Sequence, residues 1–149
     1  MSSQNPRLMG PAAALLLAWG ILHIVGGLYN FGFLFGGGLL ESLGVPPPEA
    51  SGAPRLARAA LGISAVWSGS IIGLGVEACV LARGAFRRGE RWAWLLTVAT
   101  LGPTDTGASL FGAIAQPPMP YPVVLPLGLS LFLGSVVLAV PAVWGKKAA

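Results

Sequence analysis

Three ionisable side chains, His23, Glu77 and Asp105, stand inside long apolar stretches of this 149-residue chain. A charged side chain at the centre of a membrane helix costs on the order of 2.5 to 3.5 kcal/mol on insertion scales, so each needs a partner or a purpose. A histidine and a carboxylic acid held at one depth in a medium of low dielectric constant can pass a proton to and from a bound molecule, so His23, Asp105 and Glu77 are the candidate catalytic residues. One histidine, two acids and the single Cys79 are too few for a zinc or haem ligand set, and no metal is expected. The run Gly73 to Glu77, GLGVE, lacks the strand and polar surroundings of a dinucleotide loop, and no cofactor is expected either.

Whether these groups meet depends on the elements that carry them. A bilayer core takes about 20 mostly apolar residues in a helix, and four stretches qualify, at about 8–35, 57–82, 92–115 and 121–144. At a rise of about 1.5 Å per residue from the ends nearest the arginines, His23 lies roughly 21 Å and Asp105 roughly 20 Å into their spans. The two share a level and could pair. Glu77, six residues before Arg83, lies only about 9 Å in, where a carboxylate reaches water or an arginine at the rim. His23 shares a helical face with Gly20, Gly27 and Asn30, and Asp105 with Gly102, Ala108, Ser109 and Gly112. Small and polar neighbours at that spacing mark a face turned toward other helices.

Hydrophobic residues make up 54% of the chain and charged ones 9%, with a mean hydropathy of +0.75, more apolar surface than one small soluble core could hide. The expectation is an all-α integral membrane four-helix bundle, residues 1–149 forming a single transmembrane domain. The net charge of +4 does not point to nucleic acid, because the basic residues gather at span ends instead of forming a face interleaved with aromatics. Arg7 precedes the first span, Arg83, Arg87, Arg88 and Arg91 fill the second connection, and Lys146 and Lys147 follow the fourth span, whereas QPPMP at 116–120 carries no charge. Positive charge marks the cytoplasmic side, so both termini are expected there, although Arg55 and Arg58 lie in the opposite loop against Glu41 and Glu49. Trp92, Trp94, Tyr121 and Trp144 fall where interfacial belts form. An Arg7-led signal peptide ending near Ala18–Gly20 is the competing reading of the first span, which continues past the roughly 7 to 15 residues of a signal core. Abundant Ala, Gly and Pro suggest a bacterial source, hence a multi-pass protein of the inner membrane. Cys79, in an apolar run, reads as packing.

Lipid gives no hydrophobic drive for helix association, so close packing falls to small residues four apart. Ser64 with Ser68 and Gly69 with Gly73 supply such pairs on the second span, Gly20 with Gly27 and Ser130 with Gly134 partner surfaces on the first and fourth. The third span differs. LGPTDTGAS at 101–109 puts Pro103, Asp105 and several hydroxyls near its middle, so the helix is expected to be kinked or broken near Pro103, with Thr104 and Thr106 serving the freed backbone groups. A restart at Pro103 would place Asp105 in a first turn, facing the positive end of the helix dipole, a structural role that needs no chemistry.

The segment Arg87 to Trp94, RRGERWAW, resembles the cytoplasmic turn of small bacterial four-span membrane proteins, the DoxX-like and related uncharacterised groups, over about the second and third spans. That resemblance implies a compact four-helix membrane protein and carries no catalytic residue. In architecture alone the chain is also similar to four-helix membrane proteins of the sterol-isomerase type, which bury acids, histidine and tryptophan in one cavity.

Three functions fit these residues. In the first, the bundle holds a lipophilic small molecule among Trp19, Asn30, Trp67, Thr104 and Thr106, and proton transfer at His23 and Asp105 drives isomerisation or cyclisation. In the second, the chain is a non-catalytic accessory subunit packing, as a homo-oligomer or in a larger membrane complex, through its glycine-rich faces. In the third, it is a small proton- or ion-coupled transporter built on a broken third helix. Membrane lipids are partners in all three.

Overall fold

The computed structural model describes residues 6–35, 52–115 and 121–145. They form four helices: α1 (Pro6–Phe35), α2 (Pro54–Arg83), α3 (Arg91–Ala115) and α4 (Tyr121–Trp144). Each begins and ends within three residues of an apolar stretch read from the sequence. Three of them are long and apolar enough to cross a membrane, over Arg7–Gly32, Pro54–Arg83 and Pro122–Trp144. Outside that set is α3, whose polar load of Thr97, Thr100, Thr104, Asp105 and Thr106 lowers its hydropathy.

The helices run up, down, up and down. α1 packs most extensively on α2 and next on α4, α4 also packs on α3, and α2 meets α3 along a thin seam. α1 and α3 therefore stand diagonally across the bundle. A tight turn at 84–89 joins α2 to α3, with Phe86 N–H donating to the Leu81 carbonyl and Glu90 N–H to the Ala85 carbonyl. Gly89 takes φ 72°, a left-handed conformation that glycine adopts without steric cost. The Phe86 ring is buried and closes this end of the bundle.

Close approach between α1 and α2 rests on Gly20 and Gly75. A Cβ at Gly20 would lie 2.7 Å from the Gly75 carbonyl oxygen, and one at Gly75 would lie 2.7 Å from that of Gly20. One turn pair further on, Gly27 sits against the Ser68 carbonyl. Gly73 does not serve this contact, contrary to expectation: it is exposed and an added Cβ there meets nothing within 4 Å, while one at Gly69 would meet only the Phe31 ring of α1, at 3.8 Å. The reason is helical phase, because Ser68, Gly75 and Ala78 take the α1-facing positions and turn Gly73 outward.

The expected break at Pro103 is also corrected. α3 is a single helix from Arg91 to Ala115 with Pro103 inside it. Proline deletes one N–H bond, and a bundle interior in which hydroxyls bond back to their own helix holds the remainder together. Thr104 Oγ1 donates to the Thr100 carbonyl at 3.2 Å, Thr100 Oγ1 to that of Leu96 at 2.8 Å and Thr97 Oγ1 to that of Ala93 at 2.8 Å.

Burial is uneven along the bundle axis. The contiguous apolar core takes Met9 to Trp19 of α1, Ala78 to Ala82 of α2, Ala85 and Phe86 of the turn, Ala93 and Leu101 of α3, and Phe132 to Val143 of α4. All of these lie between the arginine-bearing turn and the level of Trp19. Beyond that level the described side chains of α1 and α4 are mostly half-buried or exposed, Val25, Leu28, Val123 and Leu127 among them.

Candidate functional site

Where the core ends, three side chains from the diagonal helices meet. Trp19 Nε1 donates to Asp105 Oδ2 at 2.6 Å, and His23 Nε2 stands 3.5 Å from Asp105 Oδ1. Trp19 is 0% exposed and Asp105 3%. The helical period puts Trp19 and His23, four residues apart, on one face of α1, and their rings stack with centroids 3.6 Å apart at 23°. Phe132 of α4 packs against the indole at a tilt, 6.5 Å between centroids.

The hydrogen bonds fix the imidazole. Its Nδ1 lies 2.9 Å from the Trp19 carbonyl oxygen. A carbonyl only accepts, so Nδ1 carries a hydrogen and donates. Nε2 then faces the carboxyl group, and the contact is attractive only when one proton lies on it, either on Nε2 or on Oδ1. At 3.5 Å it is an electrostatic contact more than a closed hydrogen bond, unlike the short indole bond on the other oxygen. The carboxyl group is therefore held by Trp19 and engaged by His23.

Gly128 of α4 covers this contact with backbone alone. A Cβ there would stand 3.4 Å from His23 Cε1 and 3.6 Å from Asp105 Oδ1. His23 keeps 13% of its side-chain surface accessible.

Glu77 lies elsewhere. Its Oε1 accepts from Thr100 Oγ1 at 3.0 Å across the α2–α3 seam, nearer the arginine-bearing turn, and the side chain is half-buried. The residues expected to line a pocket divide. Trp19 is enclosed and bound to Asp105, so it positions the acid instead of presenting a wall. Trp67 is exposed on the outer face of α2, in a shallow groove with Ala59, Gly62, Ile63, Val66 and Ser70, because its neighbour Ser68 takes the inward position. Thr106 is exposed, Thr104 half-buried and bonded to its own helix, and Asn30 half-buried two turns beyond His23 on α1. Sequence reasoning missed Gly128, Phe132 and Thr100. Counting residues from the ends of α3 and α4 would have put Gly128 and Thr100 at the levels of His23 and Glu77, but neither carries a feature that singles it out. Among the described residues no three His, Cys, Asp or Glu side chains converge as a metal site would require.

At the arginine-bearing end, Arg91 Nε donates to the Val143 carbonyl at 3.2 Å, and its guanidinium lies 5.0 Å from the Trp144 ring centroid. Trp94 Nε1 donates to the Val136 carbonyl at 3.1 Å and its ring meets Trp144 edge-on. Arg88 Nε donates to Glu90 Oε1 at 2.6 Å and the Trp92 indole to Oε2. These two hydrogen bonds, Arg88 first, hold the Glu90 carboxyl below its ordinary range. This rim ties the turn to α4 and presents no reacting constellation.

Compared with protein-family models, curated proteins and solved structures, the chain matches none.

Proposed function

We propose that this chain is a four-span protein of the bacterial cytoplasmic membrane, both termini inside, that holds a lipophilic small molecule in the less tightly packed half of its bundle and exchanges a proton with it at His23 and Asp105. The observation that supports this most is the position of the pair: an acid and a base, one oriented by an indole and the other by a carbonyl, set at the level where the contiguous apolar core ends. Packing alone would be served by apolar side chains, since a carboxyl group and an imidazole in hydrocarbon are tolerated only with partners. Isomerisation suits the proton count. The proton on the Nε2–Oδ1 contact adds to one carbon of a double bond and leaves positive charge on the other; the pair then takes a proton from the next carbon beyond, whose C–H electrons become the shifted double bond. No co-reactant is consumed. The same return of a proton closes a cyclisation.

A second reading has its own support. Both Asp105 oxygens are engaged, and no buried side-chain nitrogen or oxygen among the described residues lacks a partner. A fully satisfied cluster can serve as a lock between helices, which is what an accessory subunit needs. Native mass spectrometry of the gently extracted protein separates the two. The pocket reading expects one bound lipophile, lost in the Asp105→Asn variant, in which the amide still accepts from Trp19 and the helix content is unchanged. A protein partner at fixed stoichiometry with no bound small molecule would overturn it in favour of the subunit.

A further inference from the structure

We infer that the molecule held at this site presents a neutral hydroxyl or an enolisable carbonyl as its polar group, and that Gly128 sets the clearance for it; the inference rests on the pocket reading above. Four nitrogen and oxygen atoms stand on the two side chains, and two of them make closed hydrogen bonds. Trp19 Nε1–H occupies Asp105 Oδ2, and the Trp19 carbonyl occupies His23 Nδ1. What remains is the edge between Nε2 and Oδ1, whose 3.5 Å contact is not a closed hydrogen bond and which, with one proton on it, offers a donor beside a lone pair of the carboxyl oxygen. A hydroxyl satisfies both with a single atom, accepting from the proton and donating to the lone pair. A ketone accepts in the same place and, on passing a proton, becomes an enol that also donates.

Net charge narrows the class further. When one proton lies on the Nε2–Oδ1 contact the pair is neutral as a unit, and among the described residues Glu77 and the arginines of the 83–91 turn lie toward the other end of the bundle, while Arg55 and Arg58 stand exposed at the start of α2. A carboxylate or ammonium head placed against His23 and Asp105 would be an unmatched charge in an apolar interior, which is expensive. A neutral head carries no such penalty.

Gly128 stands over the same edge. Because a methyl group there would make ordinary contacts at 3.4 and 3.6 Å with His23 Cε1 and Asp105 Oδ1, alanine fits the fold while occupying the approach to the proton. A glycine at this position therefore leaves room for one more heavy atom beside the pair.

The test uses the indole hydrogen of Trp19, which reports the state of Asp105 through its own hydrogen bond. In nitrogen-labelled protein in lipid nanodiscs, the Trp19 indole resonance is assigned with Trp19→Phe and titrated with dodecanol, dodecanoate and dodecylamine. Dodecanol is expected to shift it saturably and at least about tenfold more tightly than either ionised probe. Gly128→Ala is expected to weaken dodecanol by about tenfold with the resonance still in place, whereas Gly26→Ala, whose added methyl meets nothing within 4 Å, leaves it unchanged. Tighter binding of dodecanoate or dodecylamine would overturn the neutral-head inference and leave the pocket standing. No shift with any of the three would overturn the pocket and the inference together. A Gly128→Ala protein that binds dodecanol as before would overturn the role of Gly128.

Discussion

Toward the turn that carries Arg83 to Arg91, Leu16, Trp19, Leu101 and Phe132 are enclosed and glycines bring α1 and α2 backbone to backbone; beyond His23, residues of the same chemical type, Val25, Leu28 and Val123, lie at the surface. Both halves are apolar, so hydrophobicity does not distinguish them. What differs is whether a side chain finds protein around it, a difference made by dispersion and shape. The polar pair sits on the boundary, with Trp19 enclosed on the packed side and His23 keeping 13% of its side-chain surface accessible.

The largest expected effect tests the two halves directly. Leu16→Ala leaves a cavity in the packed half and is expected to cost roughly 2–5 kcal/mol. Leu28→Ala, at a residue 58% exposed, should cost less than about 0.5 kcal/mol. Unfolding in mixed detergent, followed by circular dichroism, measures both, and equal losses would erase the distinction between halves.

Backbone approach gives the next contrast, within one helix. Gly20→Ala puts a methyl 2.7 Å from the Gly75 carbonyl oxygen, a contact that helix separation alone can relieve, and about 1–3 kcal/mol is expected to be lost. Gly26→Ala faces open space, and removing a mid-helix glycine there should leave stability level or raise it by up to about 1 kcal/mol. The same unfolding assay reads the difference. A tolerated Gly20→Ala would mean that the α1–α2 contact is looser than its geometry.

How much of this was legible in the sequence follows from which physics fixes each feature. Helical rise is constant, so counting from the arginines put His23 and Asp105 on one level, and the structure brings them within 3.5 Å. Helical rotation is harder to read. When both faces of a helix are apolar, spacing does not say which one turns inward, so Gly69–Gly73 was read as the contact where packing chose Gly75. Trp19 was read by its ring as a pocket wall, yet its N–H, which must find an acceptor when enclosed, decided its place against Asp105. Gly128 has no side chain to announce it. At Pro103 the lost hydrogen bond was legible and the continuity of the helix was not, because that depends on the hydroxyls and neighbours around the defect.

The smallest effect lies at the rim, where the packed half ends in water. Glu90 joins Arg88 and Trp92, and these hydrogen bonds lower its pKa from the ordinary value of 4.5. A lowered folded value means that the clasp contributes fully above the ordinary carboxylate range and is lost as pH falls through the folded value. The Trp92 indole resonance should therefore stay constant from neutral pH to about 4.5 and move below it, while Glu90→Gln removes the transition. Exposed pairs of this kind are screened, so added salt should shift the midpoint back toward the ordinary value. The Trp19 resonance should not follow, because its partner Asp105 is buried on another level and the rim closes around Phe86 between them. Concerted movement of the two resonances would show that the packed half transmits changes from the rim to the pair, and the two halves would then have to be treated as one coupled unit.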